Sequence, residues 1–377
     1  MRRVTIEPRP DWKAKVEQWG MLFHTTGDAP YWFEGAYYEF TAAQIDQLEE
    51  ATGELHRLCL TAVDYVVSHK LYSRLGISEF AGQLIDRSWR RRDPSLYGRF
   101  DLAYDGVNPP KMLEYNADTP TALLEAAVIQ WHWLEELFPD ADQFNSIWEG
   151  LVAQWKAMAV SLPSKTAYFA SVDSLEDDMT VTMLCDTAME AGLAGEYIDL
   201  KAVGWHPHLN AFVDMQERPI QTLFKLYPWE WLVAEPFAQH IPACELGMRW
   251  LEPVWKLVLS SKGILTILWE LNPNHPLLLE AYLGSSGPMT SYVKKPLFGR
   301  EGANVTIMEG GVLEQSDGEY GAEGFVFQRL QPIPNLGGNH PVVGSWICGD
   351  EPHGIGIRES DGLITNNVSR FVPHLFR

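Results

Sequence analysis

Residues 98–117 read GRFDLAYDGVNPPKMLEYNA, two short alternating runs around a turn of Asp, Gly, Asn and Pro. That pattern signals a β-hairpin. With Tyr104 opposite Lys111 as the last rung, Leu102 faces Leu113 and Phe100 faces Tyr115 on an apolar side. The other side then pairs Asp101 with Glu114 and Arg99 with Asn116, because strand side chains alternate with period two. Two adjacent carboxylates repel unless a cation lies between them, and an oxygen-only donor set suits Mg²⁺. Arg99 at the edge suits neutralisation of a transferring phosphoryl group. The same pattern also fits a solvated hairpin whose charges face water.

A chain of 377 residues exceeds one ordinary core, so interlocked subdomains are expected. A formal charge of −21 argues against a nucleic-acid partner, and the run Arg90, Arg91, Arg92 reads as a solvated face. Such acidity also suits attraction of a cationic substrate. Cys59, Cys185, Cys244 and Cys348 have no C-x-x-C spacing, which fits core packing in a reducing cytosol rather than zinc or disulfides. The start, MRRVTIEPRPDW, has no apolar signal segment, and Lys256 and Lys262 punctuate the most apolar stretch around 257–271. A cytoplasmic protein without membrane spans is expected.

Thr41 is placed to cap a helix carrying Ile45, Leu48, Leu55, Leu58 and Val63 at helical spacing. A second helical pattern covers 123–137, where His132 reads as a packed or exposed helix residue rather than a ligand, because no second His follows it at helical spacing. Strands at 167–172, 196–200 and 222–226 alternate with a helix at 178–191, which predicts an α/β unit with a parallel sheet.

Residues 291–308 read SYVKKPLFGREGANVTIM. A strand ends at Lys295-Pro296, a loop carries Gly299, Arg300, Glu301 and Gly302, and a second strand starts near Asn304. Glycines let backbone amides approach an anion, with Lys295 and Arg300 flanking the cradle. The Walker pattern is absent. Lys262, amid apolar neighbours, either snorkels to water or meets an anion, and snorkelling is the default. The segment 354–367 holds Arg358 in the run GIGIRES, followed by Thr365, Asn366 and Asn367, which alone reads as an edge strand and turn.

Together, RFDLAYDG, KMLEYNADTPTALLEAA, FKLYPWEW, WLEPVWKLVLSSKGILTILWELNPNHPLLL, YVKKPLFGREGANV and GSWICGDEPHGIGIRESDGLITNNVSRFVPH resemble the glutathionylspermidine synthase-type ligases. The likeness is strongest to stand-alone bacterial acid–amine ligase homologues. It implies a mixed α+β and α/β chain, a permuted ATP-grasp fold with a preATP-grasp α/β region, in which the metal strands precede the nucleotide-binding lysines. The implied division is 1–160 with the metal hairpin, 161–250 as the preATP-grasp region and 251–377 as nucleotide-binding lobes, with segments interleaved.

By motif position the resemblance makes Asp101, Glu114 and Asn116 magnesium ligands and Arg99 the stabiliser of the transferring phosphate. ATP contacts would come from Arg99, Phe100, Asp101, Lys262, Lys295, Glu301, Gly302 and Gln328, with Arg358, Leu363, Ile364 and Thr365 closing the far end. Thr119 and Thr121 would touch substrate, although Asp118-Thr119-Pro120-Thr121 replaces a serine-rich stretch tied to glutathione. Cys59 lies in a helical pattern without the features of a thiol hydrolase, so no amidase function is expected of it. The implied partners are ATP, Mg²⁺, a small peptide-like carboxylic acid and an amine (a polyamine or amino acid). An idle ATP-binding relative would be marked by loss of Asp101, Glu114, Asn116 or Lys295, and all four are present.

Overall fold

A computed structural model describes residues 1–172, 174–366 and 369–377. The helix predicted from Thr41 runs over Ala42–His69. Thr41 accepts from the Gln44 amide while the Gln44 side chain accepts from the Thr41 amide, a reciprocal cap that satisfies two orphan donors. Its buried stripe includes Ile45, Leu48, Leu55 and Val63, which cover the central sheet.

That central sheet has five antiparallel strands in the order Arg370–Val372, Glu351–Ser360, His340–Cys348, Tyr97–Ala103 and Lys111–Asn116. The expected hairpin therefore forms its edge. Arg99 pairs with Asn116, Phe100 with Tyr115 and Asp101 with Glu114, as alternation requires. Beyond Asp101 the expected register fails: Leu102 pairs with Met112, not Leu113, and Ala103, not Tyr104, lies opposite Lys111. A β-bulge leaves Leu113 as an extra residue, so Met112 takes the core position.

A second five-stranded antiparallel sheet is ordered Ala281–Leu283, Phe325–Arg329, Ser291–Pro296, Thr306–Glu309 and Val312–Gln315. The predicted α/β unit forms a four-stranded parallel sheet, ordered Arg249–Leu251, Thr222–Lys225, Thr166–Ser171 and Ala194–Asp199. The helix Leu175–Glu190 follows its strand Thr166–Ser171, with Ser174 as cap. A three-stranded sheet of Arg2–Thr5, Ala36–Phe40 and His374–Phe376 joins the two ends of the chain.

The expected 123–137 helix carries a π-helical turn, Glu125–Ile129, near its start, before the regular Gln130–Leu137. His132 stacks on Trp19 with centroids 3.6 Å apart, as a packed helix residue. The Arg90–Arg92 run is only partly a solvated face, since Arg91 bridges Asp93 and Glu245. Cys59, Cys244 and Cys348 are buried and burial pushes their thiols up, that of Cys244 to about 12. Among the described residues no helix is long and apolar enough to cross a membrane.

Candidate active site

The charged face of the hairpin is buried at Arg99 and Asp101, whereas Glu114 and Asn116 are half-buried. Arg99 is 6% and Asp101 9% exposed. Arg99 donates from Nε to Asp101 Oδ1 at 2.7 Å, from Nη2 to Oδ2 at 3.2 Å, and from Nη1 to the Thr121 carbonyl at 2.7 Å. Its guanidinium also lies 5.6 Å from the centre of the Trp346 ring. A Cβ on Gly344 would sit 2.9 Å from Arg99 Cδ, so glycine on the next strand makes the room. Burial works against the charged guanidinium, but Asp101 and Glu114 outweigh it and hold Arg99 above its ordinary value.

Asn116 donates to Asp101 Oδ2 at 3.1 Å and to Glu114 Oε1 at 3.4 Å. Lys262 Nζ lies 2.8 Å from Glu114 Oε2, so it meets an anion and does not snorkel. Its position follows from a break between two short helices, Leu257–Ser260 and Ile264–Leu271. Burial pushes Glu114 up, yet Lys262, Lys295 and Arg99 reverse this and leave the carboxyl at about 2.

Lys295 arrives from the second antiparallel sheet, and donates to the Leu113 carbonyl at 3.1 Å and to Gln328 Oε1 at 2.9 Å. Gln328 in turn donates to the Met112 carbonyl at 3.0 Å. The bulge thus presents two consecutive carbonyls that fix the lysine across the gap between sheets. Burial lowers Lys295 to about 8, with Glu114 and Asp101 opposing and Lys262 assisting.

These groups sit on a seam between two compartments of one cleft. The first has apolar walls, among them Leu113, Val293, Ile307 and Val342, and holds Lys295, Gln328 and the segment Leu363, Ile364, Thr365. The second is polar, bounded by the 118–121 loop, Glu176, Asp177, Trp231, Arg300 and Arg358. Asp101, Glu114, Lys262, Gly299, Glu301, Gly302 and Thr365 line both. Gly302 has φ +70, and a Cβ there would lie 2.5 Å from the Thr365 carbonyl. Across the first compartment Glu314 accepts from the Leu363 and Ile364 amides at 2.8 and 3.3 Å, tying the second antiparallel sheet to the central one.

Some residues fall elsewhere than expected. Arg300 turns away from the apolar compartment, pairs with Glu230 at 3.3 Å, donates to Thr119 Oγ1 and covers the Trp231 ring at 5.8 Å. Arg358 lines the polar compartment, not the apolar one. Phe100 lies on the core face stacked on Tyr115, centroids 3.9 Å apart, and its ring reaches neither compartment. Thr121 acts through its carbonyl. Asn367 lies outside the described residues.

Several groups escaped sequence reasoning. Asp118 pairs with Lys225 at 2.8 Å, both buried, and also accepts from the Trp229 amide, which anchors the loop ending at Thr121. Asp177, raised to about 7 by burial and by Glu176, lines the polar compartment at the start of the Leu175–Glu190 helix. The acidic run LEDD offered a signal, but it reads equally as a favourable helix start.

Among the described residues no three His, Cys, Asp or Glu side chains cluster as a metal centre. The hairpin instead offers two carboxylates and one amide on one face, whose charges Arg99 and Lys262 now balance. Such oxygen donors fit a hard divalent ion, provided Asn116 turns its amide oxygen inward.

Residues 3–377 match the family model described as glutathionylspermidine synthase preATP-grasp. The chain belongs to the glutathionylspermidine synthase family. A Haemophilus influenzae protein provisionally named an acid–amine ligase is 40% identical to this family member, over the full length of both. The trypanothione synthetase of Crithidia fasciculata is 29% identical over 84% of this chain and 53% of its own. The bifunctional glutathionylspermidine synthetase/amidase of Escherichia coli is 26% identical over 89% of this chain and 58% of its own. The chain thus spans only a little over half of those two synthetases. A glutathione synthetase-like effector from Globodera pallida shares the fold, with TM-score 0.58, 9% identity and 98% coverage of both chains.

Proposed function

We propose that this chain is an ATP-dependent ligase that joins a small carboxylic acid to an amine through an acyl-phosphate, on a permuted ATP-grasp core. The observation that carries the reading is the seam, where the cations Arg99, Lys262 and Lys295 surround two carboxylates between an apolar compartment and a polar one. The apolar compartment suits an adenine, and the polar one suits an acid and an amine. The family and the acid–amine names of the relatives support the same chemistry. In this reading the metal hairpin belongs with residues 1–160, residues 161–250 supply the parallel sheet, and 251–377 supply the nucleotide lobes.

The substrate carboxylate attacks the γ-phosphorus of ATP, ADP leaves, and the acyl-phosphate forms at the seam. The neutral amine then attacks the acyl carbon, the acyl–oxygen bond to phosphate breaks, and the phosphate departs with the proton the amine loses. Lys295, held by Gln328 and the Leu113 carbonyl, meets the nucleotide phosphates as a fixed point charge. Arg99 is oriented by Asp101 and Thr121 to receive the charge that gathers on the transferring group. Asp101, Glu114 and Asn116 would hold magnesium, which supplies charge neutralisation at the phosphates. Glu314, by holding Leu363 and Ile364 over the apolar compartment, restricts water that would hydrolyse the intermediate.

Phosphate release from Mg-ATP, measured against a panel of acids with and without polyamines or amino acids, tests the reading. Release that needs both partners is expected. Release indifferent to any amine would point instead to a kinase or ATPase on this fold.

A further inference from the structure

The helix Leu175–Glu190 has the polar compartment on one side and a separate groove on the other. Glu176 and Asp177 face the compartment, whereas Leu175, Asp178, Met179 and Asp186 line the groove. The groove encloses about 790 Å³, within the range of small-molecule sites. Its floor is packed core, with Leu124, Ala127, Met179 and Met183 buried.

Its walls are aromatic and in contact with water. Three tryptophans are exposed among the described residues: Trp19 at 47%, Trp131 at 37% and Trp231 at 41%. Trp231 belongs to the polar compartment, and the other two line this groove beside Leu22 and Trp148. Leaving Trp131, Leu22 and the part of Trp19 not covered by His132 in water costs stability unless something covers them. The Trp19 ring is already fixed by stacking on His132 at 10° between planes, and Trp148 is fixed by its bond to Glu190 at 2.8 Å.

Charge narrows the occupant. Among the described residues the groove is lined by Glu149, Asp178 and Asp186 and by no Lys or Arg. Its histidine, His132, is stacked on Trp19 and lies 3.2 Å from Glu135. Asp178 is engaged by Ser171 and Tyr197, but Glu149 and Asp186 have no ion-pair partner among the described residues. Open indole faces beside unpaired carboxylates favour a cation with an apolar body. We propose that this groove binds an amphipathic organic cation, an aryl or branched alkyl body carrying one ammonium centre. The site stands apart from the ligase reading and shares with it only the wall formed by the Leu175–Glu190 helix.

The test uses the full chain without ATP and benzyltrimethylammonium, which is charged at every pH and is no nucleophile. Tryptophan fluorescence and titration calorimetry are expected to show saturable one-to-one binding. Trp131→Ala should weaken it at least tenfold, Glu149→Gln with Asp186→Asn at least threefold, and Trp231→Ala not at all. The anion 3-phenylpropanoate, of similar body, should not saturate. Absence of saturable binding, equal binding of the anion, or dependence on Trp231 rather than Trp131 would overturn the proposal. None of these outcomes depends on whether the cleft joins acids to amines.

Discussion

Arg99 and Asp101 lie two residues apart on one strand and close a two-bonded fork, at 2.7 and 3.2 Å, inside an enclosed cleft. The third guanidinium nitrogen is fixed by the Thr121 carbonyl, so the cation has one orientation before any substrate arrives. Arg99→Lys retains the charge but loses the fork. The predicted outcome is a fall in kcat of roughly 10²–10³, the size seen for losing one transition-state donor, with KM for ATP changed far less. Steady-state phosphate release checks it, and an unchanged kcat would remove Arg99 from the mechanism.

Gln328 bridges Lys295 and the Met112 carbonyl, so Gln328→Leu frees the lysine without removing it. Nucleotide affinity is expected to fall about tenfold or more, since tenfold is ~1.4 kcal/mol and a hydrogen bond to a charged group contributes about 1.5–3 kcal/mol. The melting temperature falls by a few degrees because the Met112 carbonyl also loses its donor. Calorimetric titration of a non-hydrolysable ATP analogue measures this. Intact affinity would mean that the Leu113 carbonyl alone positions Lys295.

Asp118 and Lys225 form a pair with side-chain exposures of 2% and 0%, and the loop from Asp118 carries the carbonyl that orients Arg99. Removing one partner strands a buried charge. Asp118→Asn or Lys225→Met alone should therefore destabilise by about 3–5 kcal/mol, and the double variant by much less than their sum. Urea unfolding of the four proteins provides the cycle. Additive losses would show that the two side chains act independently.

How much of this was legible in the sequence depends on the range of the signal. The paired acids at 101 and 114 follow from period two within one hairpin, and the Thr41 cap from its place just ahead of the helical run that starts at Ile45. The bulge was hidden because Met112 and Leu113 are both apolar, so alternation does not say which one enters the core. Lys262 could not be resolved by its neighbours, since its partner Glu114 is 148 positions away (262 − 114). Arg300 looked like a phosphate clamp beside its glycines, and only packing against Trp231 and Glu230 turned it to the polar side. The Glu314 latch joins two sheets and has no local signature at all.

Glu125, 1% exposed, is pushed up to about 7 mainly by burial, with Glu176 adding and Tyr31 and Arg358 opposing. Its folded state thus holds a proton more tightly than the unfolded chain. Stability from this group is full below about pH 4.5 and is lost as pH rises through about 7, up to about 3 kcal/mol. Glu125→Gln should remove that slope, so the variant gains on the parent between pH 5 and pH 8. Denaturant midpoints at both pH values test the sign, and a gain at pH 5 instead would contradict it.

If Glu314 holds Leu363 and Ile364 over the apolar compartment, Glu314→Ala should release both amides. Faster hydrogen exchange at these two positions is expected, together with a several-fold rise in ATP hydrolysis uncoupled from amide formation. Exchange at the parent rate would show that the segment is held by other contacts.

The central claim is that the carboxylate itself takes up the phosphoryl group. Once the panel has named an acid and an amine, the acid is supplied with both carboxylate oxygens as ¹⁸O. Transfer of one ¹⁸O per turnover into the released phosphate, seen by mass spectrometry, is the predicted result. Phosphate free of ¹⁸O while amide accumulates would contradict the acyl-phosphate route.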